Sequence, residues 1–141
     1  MHWLRDNGIG AEKEQEIPQW NHGTERAILD VVYHEGASGM VAMDVTVTDM
    51  TANAHGGQPW RHALARKERK KHTRYPGPEL VPFVVDVRGR WGKEAEAWMK
   101  RVAKRLAAEQ RTEAVRACRY EVSLALQAAV AEQLASCHGA R

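Results

Sequence analysis

Residues 25–49, ERAILDVVYHEGASGMVAMDVTVTD, hold two short apolar runs joined by a glycine-bearing turn, with an aspartate inside each run. AILDVV and MVAMDVTVT are rich in β-branched residues, which favours strands, and HEGASG between them supplies Gly36 and Gly39 for a hairpin loop. A loop running from Glu35 to Gly39 puts His34 opposite Met40, Val32 opposite Ala42 and Asp30 opposite Asp44. In that register the two carboxylates are cross-strand neighbours with Cβ atoms about 5 Å apart. A loop one residue shorter turns them to opposite faces.

Ionised carboxylates about 5 Å apart repel by roughly 3 kcal/mol at an effective dielectric near 20. A shared proton, a lysine or a bridging divalent cation would each compensate. Mg²⁺ suits the last case, because it takes one or two carboxylates together with water and phosphate oxygens. That option would make the pair a phosphodiester-cleaving site. Solvent-facing aspartates on an ordinary strand are the competing reading, and the pattern of the hairpin leaves both open.

Downstream, a loop from Asp49 to Pro59 carries Gly56 and Gly57. A helix is expected over Trp60–Arg74, between Pro59 and the Pro76-Gly77-Pro78 stop. Leu80–Val87 reads as a third strand, with Pro82 placing it at an edge or at the start of pairing. Arg88-Gly89-Arg90-Trp91-Gly92 follows as a turn, read either as phosphate-facing or as a structural turn capped by a packed tryptophan. Lys93 to Glu109 puts Ala95, Trp98, Val102 and Leu106 on one helical stripe, and a second helix is expected from Thr112, as N-cap, to Ser136. Residues 1–24 show no sustained periodicity and are expected to be a linker. The organisation is then a linker over 1–24, a core over 25–109 and a C-terminal helix over 110–141 packing on it. The fold class is α/β, a mixed sheet with helices on it.

Length and composition fit one domain: 141 residues, of which 43% are hydrophobic and 28% charged, so neither disorder nor a membrane class is indicated. No apolar run approaches the roughly 20 residues that span a bilayer, and MHWLRDNG lacks a signal-peptide apolar region. The expectation is an intracellular protein, nuclear in a eukaryotic cell, neither secreted nor membrane-bound. Cys118 and Cys137 have no zinc-site spacing and are expected to be reduced thiols in a helical region. No GxSxG elbow, P-loop or HExxH is present.

The net charge is only +3, but its distribution is uneven. Arg61, Arg66, Lys67, Arg69, Lys70, Lys71 and Arg74 face a single Glu68, and Lys67, Lys70, Lys71 and Arg74 recur at the spacing of one helical face. Like charges so placed repel, and phosphate contacts with counterion release would offset that repulsion. Nucleic-acid binding is the favoured reading of this helix, with acidic protein as the alternative.

Asp30, the DVTV of Asp44–Val47, a helix bearing Lys71 and ending in Arg74-Tyr75, and the strand VPFVVDVRG together resemble the restriction-like endonuclease domain of site-specific non-long-terminal-repeat retrotransposon polyproteins. The resemblance covers roughly residues 25–105 and implies membership of the PD-(D/E)xK nuclease class. By that resemblance Asp30 and Asp44 bind Mg²⁺ and Lys71 assists the attacking water. Arg66, Lys67, Lys70, Arg74 and Tyr75 hold double-stranded DNA, with RNA of the parent element as a further partner. Leu29 stands where the family has proline, Thr46 where much of the wider class keeps its lysine, and Arg74-Tyr75 where a Lys-Tyr pair is expected. The choice among Lys67, Lys70 and Lys71 stays open, as does a contribution from Glu12, Glu14, Glu16 or Glu25 to a metal shell. The chain has no polymerase aspartate pair and no CCHC spacing, so the expectation is an endonuclease domain detached from its reverse transcriptase. An inactive nucleic-acid-binding remnant and a homodimer formed through the Ala- and Leu-rich C-terminal helices are the alternatives.

Overall fold

The computed structural model describes residues 2–7, 9–35, 39–48 and 59–139, so the hairpin tip at 36–38 and the loop at 49–58, with Gly56 and Gly57, lie outside the described residues. The side chains of Leu134 and Cys137 do so too. In chain order the elements are α1 (His2–Asp6), β1 (Ala11–Glu16), a 3-10 turn (Pro18–Trp20), β2 (Ile28–Glu35), β3 (Gly39–Thr48), α2 (Trp60–Arg74), β4 (Leu80–Asp86), α3 (Lys93–Ala103) and α4 (Ala108–Gly139). The strands form one mixed sheet in the order β1-β2-β3-β4. β1, β2 and β3 are antiparallel neighbours, and β4 joins parallel to β3 after the α2 crossover.

The period-2 alternation of β3 divides the interior in two. Val41 and Met43 face a core made with Phe83 and Val85 of β4, Trp3 of α1, Trp98 and Val102 of α3, and Cys118 and Leu126 of α4. Ala42 faces the other way, with Val32 and Leu80, onto Ile17, Trp20 and Ala27 and the half-buried Tyr75. α2 contacts β4 and β3, and because its Lys71 reaches Asp44 it covers this second face. β4 is buried along its whole length, as a strand covered on both faces must be.

Residues 1–24 are not a linker. β1 pairs with β2 from Ala11↔Tyr33 to Glu16↔Ile28, and Trp3, Leu4, Ile9, Ile17 and Trp20 are buried. AEKEQE has no apolar alternation because it is an outer strand with mostly exposed side chains, and Glu14 interrupts it with φ 51°. The C-terminal helices also differ from expectation. α3 stops at Ala103, and α4 begins at Ala108, so Thr112 lies inside a helix rather than at its cap.

β4 occupies the other edge of the sheet, the place that Pro82 requires. Outside it runs the 88–92 turn: Asp86 N–H donates to Arg90 O at 2.9 Å and Gly92 N–H to Val84 O at 2.7 Å. Asp86, fully buried, takes the Arg88 and Arg90 N–H groups on Oδ1 at 3.0 and 2.9 Å and the Arg90 guanidinium on Oδ2 at 2.6 Å. Gly89 turns the chain at φ 86°, and Trp91 packs edge-on against Phe83 at 4.8 Å. The structural reading of this turn holds.

Trp98 is the centre of the larger core. Its ring lies edge-on to Trp3 at 6.0 Å and to Phe83 at 5.6 Å, and its Nε1–H donates to the Tyr33 hydroxyl at 2.8 Å. Trp98→Ala is expected to lower the urea-unfolding free energy by about 3–5 kcal/mol, the usual cost of truncating a buried tryptophan.

Candidate functional site

The hairpin takes the register that brings the aspartates together. His34 pairs with Met40 and Val32 with Ala42, and the ladder runs on to Val31↔Met43, one step short of Asp30 and Asp44. At that step the strands open. Instead of continuing the ladder, Val45 N–H donates to Asp30 Oδ2 at 2.7 Å. The Asp44 carboxyl is near enough to influence the titration of Asp30.

Asp44 is buried at mid-sheet, opposite Pro82. Its Oδ2 is shielded from solvent and accepts no hydrogen bond. The Lys71 ammonium stands 2.6 Å from that oxygen, as an ion pair outside hydrogen-bond geometry. Of the three lysines open from the sequence, Lys71 therefore meets the carboxylates. It comes from α2, a third element, and reaches the face of the sheet that carries Asp44 and Ala42.

Asp30 titrates above the ordinary carboxylate range. Removal from water is the largest cause. The Val45 N–H pulls it back down, the Asp44 carboxyl pushes it up by hydrogen bonding and by repulsion, and Lys71 lowers it. Although the residue as a whole is exposed, its carboxyl turns inward to Val45 and Asp44. Repulsion in the pair is thus met both by the lysine and by easier protonation of Asp30.

α2 is held so that Lys71 points inward. Glu68, one turn earlier, is buried and its Oε2 accepts the Glu94 N–H at 2.7 Å, a carboxylate at the N-terminus of α3. Burial raises the titration of Glu68 and that N–H opposes the rise. Gly92 makes the approach possible, since a Cβ there would stand 3.0 Å from Glu68 Oε2 and 3.2 Å from Val84 O. His72 Nε2 lies 2.6 Å from Glu94 Oε1 in the same contact. In the sequence Glu68 is visible only as the lone acid of a basic helix, and its structural role depends on a residue in α3.

Two expected nucleic-acid contacts are engaged elsewhere. Arg74 donates to Trp20 O at 2.9 Å, pairs with Glu25 at 3.5 Å and stacks on Tyr75. Tyr75 packs on Trp20 at 5.5 Å. Both hold the N-terminal segment to the end of α2. Lys70 is exposed and Lys67 half-exposed, beside the half-buried Arg66.

No third carboxylate completes the pair: among the described residues no group of three or more His, Cys, Asp or Glu side chains could hold a metal ion. Glu16 is paired with Arg26, Glu25 with Arg74, and Glu12 and Glu14 are exposed on β1. On the opposite face of the sheet, a cavity of about 240 Å³ under α4 is lined mainly by apolar groups, among them Met43, Val45, Phe83 and Trp98. It carries little chemistry. Burial pushes the Cys118 thiol on its wall up to about 12.

Compared with models of protein families, with curated proteins and with solved structures, the chain matches none. Among the described residues no helix is long and apolar enough to cross a membrane.

The upward shift at Asp30 makes the folded state hold a proton that the unfolded chain releases at lower pH. Its contribution to stability therefore falls as pH rises from the unfolded titration of Asp30 through its higher folded one. Asp30→Asn keeps an acceptor for Val45 N–H. It is expected to raise the melting temperature at pH 7.5 by an amount that shrinks to nothing near pH 3, as followed by circular dichroism. Solvent screening holds the gain to about 1 kcal/mol or less.

Proposed function

We propose that the chain is a metal-dependent endonuclease domain that hydrolyses phosphodiester bonds of double-stranded DNA, of the restriction-endonuclease-like kind carried by retroelements. One observation carries the reading: two aspartates from adjacent strands and a lysine from the crossover helix converge on one face of the sheet, around a buried carboxylate oxygen that the lysine pairs at 2.6 Å. That these residues sit on a hairpin, a crossover helix and a mixed sheet supports the reading.

Asp30 and Asp44 suit Mg²⁺, which accepts two carboxylates and fills its remaining positions with water and phosphate oxygens. When bound, the ion would polarise a phosphoryl oxygen and acidify a water. Lys71, within reach of the same carboxylates, would orient the attacking water and stabilise negative charge on the scissile phosphate. Lys67 and Lys70, with Arg66, would hold the backbone without reading sequence. Arg74 and Tyr75 are left out of this set because their contacts are with Trp20 and Glu25.

A second reading is a nucleic-acid-binding module without catalysis. Lys71 already neutralises Asp44, and no third carboxylate is present among the described residues. Nicking of supercoiled plasmid separates the two. The expected outcome is cutting that requires Mg²⁺, stops with EDTA and is lost in Asp30→Ala and Asp44→Ala while DNA binding persists. Binding by wild type with no cutting at any Mg²⁺ concentration would leave the second reading. In either case Lys67→Ala and Lys70→Ala should each flatten the dependence of log affinity on log salt by about 0.9.

A further inference from the structure

The Lys71–Asp44 pair poses a problem for any cation placed on Asp44. A divalent ion of the size of Mg²⁺ sits about 2.0–2.1 Å from its carboxylate oxygens. The ammonium is 2.6 Å from Oδ2. Both cannot attend the same buried oxygen, because two cations so close would repel strongly in a site with little water. We infer that Lys71 is the resident counter-cation of the aspartate pair, that a divalent cation takes Asp44 Oδ2 only by displacing it, and that this displacement releases the ammonium toward the phosphate. The inference rests on the reading of Asp30 and Asp44 as cation ligands.

Three features fit such an exchange. Lys71 is the partner of Asp44 Oδ2 among the described residues, so the exchange breaks that one contact. The Lys71 side chain is 31% exposed against 11% for Asp44, so the lysine has an outlet that the aspartate lacks. α2 itself is fixed, by Glu68 at α3 on one side and by Tyr75 against Trp20 on the other. The movement therefore belongs to the four-carbon stem of Lys71 rather than to the helix. Metal occupancy and lysine position become one variable, and the lysine is free for the substrate only when the ion is in place.

The test is a titration of the full chain with Mn²⁺, following the electron paramagnetic resonance signal of the free ion, for wild type, Lys71→Met and Asp44→Asn. Lys71→Met is expected to bind at least about tenfold more tightly than wild type, since its competitor is gone, and Asp44→Asn to lose the binding. Equal or weaker affinity in Lys71→Met overturns the exchange while leaving the cation site intact, provided wild-type binding still depends on Asp44. Absence of binding in both wild type and Lys71→Met removes the exchange and the cation site together. A second measurement needs no variant. Acetic anhydride labelling of the wild-type chain, read by mass spectrometry, is expected to show acylation of Lys71 rising with Mn²⁺ relative to Lys67 and Lys70. An unchanged ratio at saturating Mn²⁺ overturns the exchange even if Lys71→Met does not fold.

Discussion

A carboxylate in the middle of a sheet, between a valine strand and a proline, has to be answered by positive charge. Much of the fold on that side is arranged around the answer. Asp44 is nearly withdrawn from water, and its inner oxygen faces the Lys71 ammonium at 2.6 Å. Removing one partner of such a pair leaves an uncompensated charge, which is far more costly than the pair itself is favourable. The ion pair thus ties α2 to the centre of β3 independently of apolar packing, of which α2 has little: its buried residues are Ala63, Leu64 and Glu68.

The placement of α2 is consequently a polar problem solved at several points. Lys71 meets the sheet, Glu68 meets the N-terminus of α3 over Gly92, and Tyr75 with Arg74 meets Trp20 and the N-terminal segment. The segment before the hairpin therefore belongs to the same structural unit as the site, because the end of the lysine-bearing helix leans on it. On the far side, Trp98 joins α1, α3 and the sheet through aromatic edges and the Tyr33 hydroxyl.

The hairpin was legible because Gly36 and Gly39 limit the loop and the apolar alternation resists a slip by one residue. α2 was legible from the prolines that bracket it, and its ends agree with the sequence pattern. β1 escaped because its information is tertiary: an exposed outer strand shows no period, and only scattered Trp3, Ile9, Ile17 and Trp20 hint that the segment is packed. The α3–α4 boundary escaped because residues 104–107 contain neither glycine nor proline. Within the basic helix, the sequence groups four cations on one face. The structure turns one toward a carboxylate, another toward a carbonyl, and leaves Lys70 outward. Such a division depends on what lies opposite each side chain.

The two borders of the sheet have a common property. On β4, Val84 O and Asp86 N–H point outward and are already taken by Gly92 and Arg90. By the two-residue period Pro82 has its nitrogen on the same outward side, where it offers no donor. On β1 the border is a row of Glu12, Lys13, Glu14, Gln15 and Glu16, broken by the backbone of Glu14. Both borders are poor templates for a foreign strand. Edgewise growth of the sheet is thus blocked along the middle of β4 and disfavoured at β1 by charge and a broken backbone, which leaves its side-chain surfaces as the more open approach.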